Sequence, residues 1–184
     1  MDAARIVERS ALPPRLRAEG DAGPRVLYGH MAVWNTWARI DNEREGPAFL
    51  ERISPGAFVR AFGDPDTRSR MRVMFEHGKD PSIGRRPLGR VLTLEEDGVG
   101  ARYEVAMFSA EYARSLIEPL EAGQLGSSFR FRIVEGDRHD RPGRSSWNPD
   151  GLPEVVLRDV EPVEFGPVVW PAYETARAGI RSLG

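Results

Sequence analysis

Three histidines, at positions 30, 77 and 139, and the serine pair Ser127-Ser128 are the side chains whose types best suit bond-breaking chemistry in this sequence. A serine hydroxyl is a poor nucleophile at neutral pH. It needs an imidazole within hydrogen-bond reach to take its proton, a group to orient that imidazole, and amide donors for the oxyanion. The chain has no cysteine, which excludes a thiolate nucleophile, a thiolate zinc site and a disulfide framework. Of the imidazoles, His30 in LYGHMAVW sits among apolar neighbours in a strand-like stretch, which suits a structural role. His139 in DRHDR falls in a run of loop formers and reads as solvated. His77 ends MRVMFEH just before GKDPSIGRRP, the kind of boundary that carries reactive side chains. Taken alone it also has an ordinary structural explanation. So do Ser127 and Ser128 in LGSSFRF, polar residues at a strand start after a glycine.

Other chemistries find less support. There is no GxSxG elbow of the α/β-hydrolase kind. No HExxH or His/Asp cluster occurs at ligand spacing, so neither a metal nor another cofactor is expected, and the runs EED and DNERE read as a turn and a solvated face. GRRPLGR is short and lacks interleaved aromatics, so it reads as a surface loop rather than a phosphate contact. A carboxylate-pair hydrolase would need two facing acids, an arrangement that spacing does not reveal.

The elements that must position these residues are mostly strands. Val26 to Trp37 roughly alternates apolar and other residues and suggests a strand or bent hairpin arm, and Ala48 to Ile53 suggests a second. SPGAFVRAF reads as a short helix with Ser54 as cap, Pro55 at its first position and Gly63 as stop, and DPDTRSR as an exposed connection. In MRVMFEH, Met71, Val73 and Phe75 share a face of a strand that would deliver His77 at its end. PLGRVLTLEEDGVGARYEVAMF reads as a hairpin turning at EEDG. SAEYARSLIEPLEAG has helical spacing, with Ser109 as expected cap and Pro119 disturbing its last turn. LGSSFRFRIV returns to period two, with Phe129, Phe131 and Ile133 on one face and Ser128, Arg130 and Arg132 on the other. EVVLRDVEPVEF reads as the last strand.

At 184 residues, the length suits one domain with its own core. We expect a flexible segment at 1–24, a folded domain at 25–176 with a mobile loop at 136–153, and a tail at 177–184. A net charge of −2 gives no basic field for nucleic acid. No apolar run approaches the length of a membrane span, and the opening residues lack the apolar middle of a secretory signal, so neither membrane nor nucleic acid is an expected partner and a cytoplasmic protein is. Periodicity implies a mainly β fold with α elements, an antiparallel β-barrel with a few helices outside.

Taken in order, LYGHMAVWN, FLERISPGAF, FEH with PLGR, AEYARSLIEPLEAGQLGSSFRF and VEPVEFGPVVWPAY, the chain resembles the tailed-phage (caudovirus) prohead serine proteases. The similarity runs from about Arg25 to Tyr173. That family looks distantly like the herpesvirus assemblins, which implies a β-barrel ringed by helices. It also implies a serine endopeptidase of capsid maturation. Its substrates would be scaffold protein, the delta segment of the major capsid protein and the protease's own termini, inside the assembling prohead in the host cytoplasm. A homodimer is suggested by the assemblins. Carried over residue by residue, the family's base falls on His77, its nucleophile on Ser128 and an acidic third member on Glu164.

Two positions depart from the family pattern. Arg130 stands where glycine is usual, which leaves Ser127 as a rival to Ser128; Phe131, three residues after Ser128, favours Ser128. Gly166 stands where serine is usual, which leaves Glu161 and Asp159 as rivals to Glu164. Alternate positions of a regular strand face opposite ways, although Pro162 can reset the pleat. Oxyanion support would come from backbone amides, with Arg130 and Arg90 as candidate helpers. The rival reading from another class is a non-catalytic β-barrel scaffold or assembly factor of the phage head.

Overall fold

The computed structural model describes residues 6–11, 13–18, 25–41 and 45–169. The chain opens with β1 (Ile6–Ala11) and β2 (Arg15–Ala18), followed by β3 (Arg25–Val33), β4 (Ala38–Ile40) and β5 (Phe49–Ile53). Two short helices, α1 (Val59–Gly63) and α2 (Pro65–Arg70), lead into the brief strand β6 (Arg72–Val73) and a tight turn at Phe75–Gly78. The hairpin β7 (Gly89–Glu96) and β8 (Gly100–Met107) precedes helices α3 (Glu111–Arg114) and α4 (Ile117–Glu121). The long strands β9 (Gly126–His139) and β10 (Glu154–Val168) complete the described chain.

Among the described residues these strands form two sheets. One has the order β1-β9-β10-β5-β4, with β6 also paired to β10; the other has the order β2-β3-β8-β7. The fold is mainly β with short helices, as the alternation of apolar residues requires. Among the described residues the sheets are not closed into the closed or nearly closed antiparallel barrel expected. The two sheets are separate hydrogen-bonded units, and β10 takes both β5 and β6 in parallel. Both can run parallel to β10 because α1 and α2 carry the chain onward in the direction of β10, from β5 beside Leu157 to β6 beside Glu164. The core fills the space between the sheets. Ala101, Tyr103, Val105 and Met107 point inward from β8, and Phe129, Phe131 and Phe165 from β9 and β10. Tyr103 meets Phe165 with ring centroids 4.5 Å apart, and Phe58 bridges from the turn before α1 to Phe129 and Phe62.

Several local expectations are corrected. Residues 6–11 and 15–18, placed within a flexible segment by sequence, are strands paired with β9 and β3, so the folded unit begins before residue 25. Residues 136–139, assigned to a mobile loop, extend β9 and pair with β10. The helix after Ser54 starts later than expected, at Val59. The Glu96 carboxylate accepts from the Gly56 and Phe58 amides, both at 2.7 Å, and turns the chain before the helix can begin. The connection DPDTRSR is the helix α2, with Asp64 as cap and Pro65 in its first turn. The helix expected after Ser109 is two pieces, α3 and α4, neither capped by a side chain, with Pro119 inside α4. No helix among the described residues is long and apolar enough to cross a membrane. The WPAY end of VVWPAY and the tail 177–184 lie outside the described residues.

Candidate active site

The nucleophile candidate is positioned by the alternation of β9. Phe129 and Phe131 are driven into the core and stack with centroids 4.9 Å apart, which turns Ser128 and Arg130 to the opposite face. That face is not open to water at Ser128, which is fully buried. The turn at Phe75–Gly78 covers it from one side and β1 from another.

His77 is not delivered by the end of a strand. β6 is only two residues long, pinned in parallel to β10, and Met74 N donates to Phe165 O at 3.0 Å. The chain then reverses through three consecutive left-handed residues, Glu76 (φ 49°), His77 (φ 55°) and Gly78 (φ 73°). Only the glycine adopts this conformation without strain, so the surroundings must enforce it at Glu76 and His77. One restraint is the Glu76 carboxylate, which accepts from the amide of Val169 at the end of β10. Another is Gly166: a Cβ there would lie 2.0 Å from the Met74 carbonyl oxygen. The glycine that departs from the family pattern thus lets the histidine-bearing segment lie directly on the sheet.

Glu164 reaches the same face through an irregularity in β10. Pro162 lies opposite Phe131 and Glu164 opposite Arg130, so two steps on β10 match one on β9, and the extra residue at Val163 is a bulge. The bulge resets the pleat after Pro162 and gives Glu164 the side of the sheet shared by Arg130 and Ser128. His77 then bridges the other two side chains. Its Nδ1 donates to Glu164 Oε1 at 2.6 Å, and its Nε2 lies 3.0 Å from Ser128 Oγ. His77 and Glu164 are both buried.

Among the expected alternatives, Ser127 points the other way on β9, is buried, and makes no hydrogen bond to His77. Asp159 is engaged by Arg60 at 2.6 Å, and Glu161 faces Arg132 at 3.6 Å. Arg130 lies beside the site, its Nε 3.9 Å from Glu164 Oε1. Arg90 sits on β7 opposite Ala106, in the other sheet, and among the described residues makes no polar contact with Ser128, His77 or Glu164. His30 holds Asp97 at 2.9 Å away from the site, and His139 is exposed at the end of β9.

Two residues at the site were not anticipated. β1 runs antiparallel along β9 with Glu8 opposite Arg130 and Ser10 opposite Ser128. Glu8 Oε1 lies 3.1 Å from His77 Nε2, and the Ser128 hydroxyl donates to the Arg9 carbonyl at 3.0 Å. The alternation in IVERSA was the available signal, but six residues isolated by Pro13 and Pro14 reveal nothing about a partner strand more than a hundred positions away. Burial works against a charge on His77, yet the carboxylates of Glu164 and Glu8 outweigh it and the imidazole is pushed up to about 9. The hydrogen bond to His77 holds Glu8 below the ordinary carboxylate range despite partial burial, with Lys79 and Arg130 adding to the effect.

A buried carboxylate, imidazole and hydroxyl in hydrogen-bond series are what acyl transfer by an activated serine requires. A family model described as caudovirus prohead serine protease matches residues 14–183. No curated protein matches. Among solved structures, the bacteriophage T4 capsid assembly protease gp21 is similar in fold, with a TM-score of 0.55 at 10% sequence identity over 91% of this chain and 98% of that one. Since the match spans β6 to β10 and every residue of the hydrogen-bonded series, the chain belongs to the caudovirus prohead serine proteases.

Proposed function

We propose that this prohead protease is a serine endopeptidase in which Ser128 is the nucleophile, His77 the general base and acid, and Glu164 the carboxylate that orients the imidazole. The observation that carries this reading is His77 bridging Glu164 and Ser128 at 2.6 and 3.0 Å. In the first step a neutral Nε2 takes the hydroxyl proton as Ser128 Oγ attacks the scissile carbonyl carbon. The C–N bond then breaks as the imidazolium returns that proton to the leaving amine. Water, deprotonated by the same nitrogen, releases the acyl group and restores the hydroxyl. Glu164 fixes the tautomer with its proton on Nδ1 and stabilises the imidazolium. Backbone amides near Ser128 would hold the oxyanion, with the Arg130 guanidinium adding positive charge beside the site; Arg90 is the weaker candidate for that role.

The likeness to a capsid assembly protease supports scaffold protein or the delta segment of the major capsid protein as substrate, with self-cleavage of the termini. The site of action would be the interior of the assembling prohead in the host cytoplasm, where confinement keeps substrate concentration high. Assemblin-like pairing supports a homodimer. Co-expression with the cognate capsid protein tests the reading. Wild-type protein should shorten the capsid protein, and Ser128→Ala should lower cleavage by on the order of 10⁴-fold or more while leaving the fold intact. Processing unchanged by Ser128→Ala would overturn it.

A further inference from the structure

β1 meets the candidate catalytic residues through its backbone as well as its side chains, and it does so in the way an extended peptide adds to a sheet edge. It is the terminal strand of its sheet, antiparallel to β9, and Arg9 is the residue whose carbonyl receives the Ser128 hydroxyl. β1 also lies outside residues 14–183, the part of the chain that matches the family.

The Arg9 side chain is equally specific in its contacts. It is 4% exposed, and all five of its N–H donors are used. Nε and Nη2 donate to Glu51 at 2.6 and 2.9 Å, Nη1 and Nη2 to Glu45 at 2.9 and 2.9 Å, and Nη1 also to the Glu8 carbonyl at 2.8 Å. The Phe131 ring lies beneath the guanidinium, 5.9 Å from its central carbon. The buried Glu51 and the partly buried Glu45 form this socket on the Phe131 face of the sheet, opposite the face that carries the Ser128 side chain, and they require a cation there, because a buried carboxylate without one is strongly unfavourable. Two residues earlier, Val7 is buried on the same face of β1.

We propose that β1 is an internal pseudo-substrate, and that the Glu45 and Glu51 socket holding Arg9 is the pocket that selects an arginine or lysine at the residue whose carbonyl faces Ser128. This rests on the reading of Ser128 as nucleophile. The socket then cuts after a basic residue, with an apolar residue favoured two positions earlier, and the intact N-terminal strand holds the enzyme off until a substrate displaces it.

The hydrogen-bond pattern explains why docked β1 is not simply cleaved. A carbonyl oxygen can only accept, so the hydroxyl proton of Ser128 points at Arg9 and not at the imidazole. His77 Nε2 is therefore the donor to Ser128 and to the Glu8 carboxylate. The charged groups facing His77 are Glu8, Glu164, Lys79 near Glu8 and Arg130 near Glu164. With both carboxylates in place the imidazole is a cation at neutral pH and unable to take a proton. Departure of β1 removes Glu8 and frees Nε2 for the hydroxyl.

The test uses the full chain. Arg9→Glu sets like charges together in the socket and should release β1, so that a fluorophosphonate labels Ser128 at least tenfold faster than in wild type; Arg9→Ala provides the same comparison should the first variant fold poorly. A fluorescent peptide of sequence IVERSAL should bind the Arg9→Glu chain, measured by anisotropy. Lysine in place of its arginine should change binding only a few-fold, alanine or glutamate should weaken it at least tenfold, and adding Glu51→Gln to the chain should narrow that discrimination. Equal binding of the arginine and alanine peptides, or wild type labelled as fast as the Arg9 variants, would overturn the proposal. Selective binding of the arginine peptide by a chain that is never labelled would keep the socket and sink the assignment of Ser128 instead.

Discussion

Ser128 and Ser127 are chemically identical neighbours, and what separates them is the side of β9 each occupies. The residue-scale part of the site was legible to the extent that pattern fixes facing: Phe129 and Phe131 had to face the core, so Ser128 and Arg130 had to face away. Which carboxylate meets His77 was not legible from period two alone, since Glu164 owes its placement to a bulge at Val163. The family resemblance supplied Glu164; Glu161 shares its face but lies further along β10, opposite and paired with Arg132, and Asp159 is held by Arg60. Glu164 accepts a hydrogen bond from His77 and is buried. Glu164→Gln should therefore preserve the fold while misorienting the imidazole, lowering kcat on a peptide substrate by about 10³–10⁴-fold with little change in KM. Steady-state kinetics on the purified variant checks this, and a KM-dominated loss would argue against an orienting role.

At the scale of elements, the segment carrying His77 departs most from expectation. A strand with alternating Met71, Val73 and Phe75 was a reasonable reading, but its pairing ends at Val73 and the left-handed turn follows. Positive φ at Glu76 and His77 is enforced by contacts from β10, a strand almost ninety residues away, so nothing local could have signalled it. The DP dipeptide before α2, by contrast, is a local helix-start signal that the reading of DPDTRSR as an exposed connection missed. Gly166 is where this segment is most sensitive. Gly166→Ala would press a methyl group onto the Met74 carbonyl, and we expect a loss of about 1–3 kcal/mol in urea unfolding together with reduced peptidase activity. An unchanged unfolding midpoint would show that the turn is not held by this contact.

For the whole molecule, the mainly β character and the hairpin of β7 and β8 followed from period-two alternation. The division into two sheets did not, because pairing among distant strands is set by packing rather than by local pattern. A consequence of that packing is a pH dependence of stability. His77 binds its proton more tightly folded, at about 9, than an ordinary imidazole does at 6.5. Its contribution to stability is therefore present in full below about pH 6.5 and is lost as pH rises through about 9. Urea midpoints of the Ser128→Ala protein should fall between about pH 6 and pH 9.5, and His77→Gln should flatten that part of the profile. A midpoint that rises over this range in the Ser128→Ala protein would contradict the assignment of Glu8 and Glu164 as partners of the imidazolium.

The chemical claim on which the rest depends is that His77 activates Ser128. Mass-spectrometric mapping of a fluorophosphonate adduct, with labelling carried to completion, addresses it at the level of a single atom. We expect one adduct, on Ser128, absent from His77→Ala and undiminished in Ser127→Ala. An adduct on Ser127, or one on Ser128 that persists without His77, would contradict it.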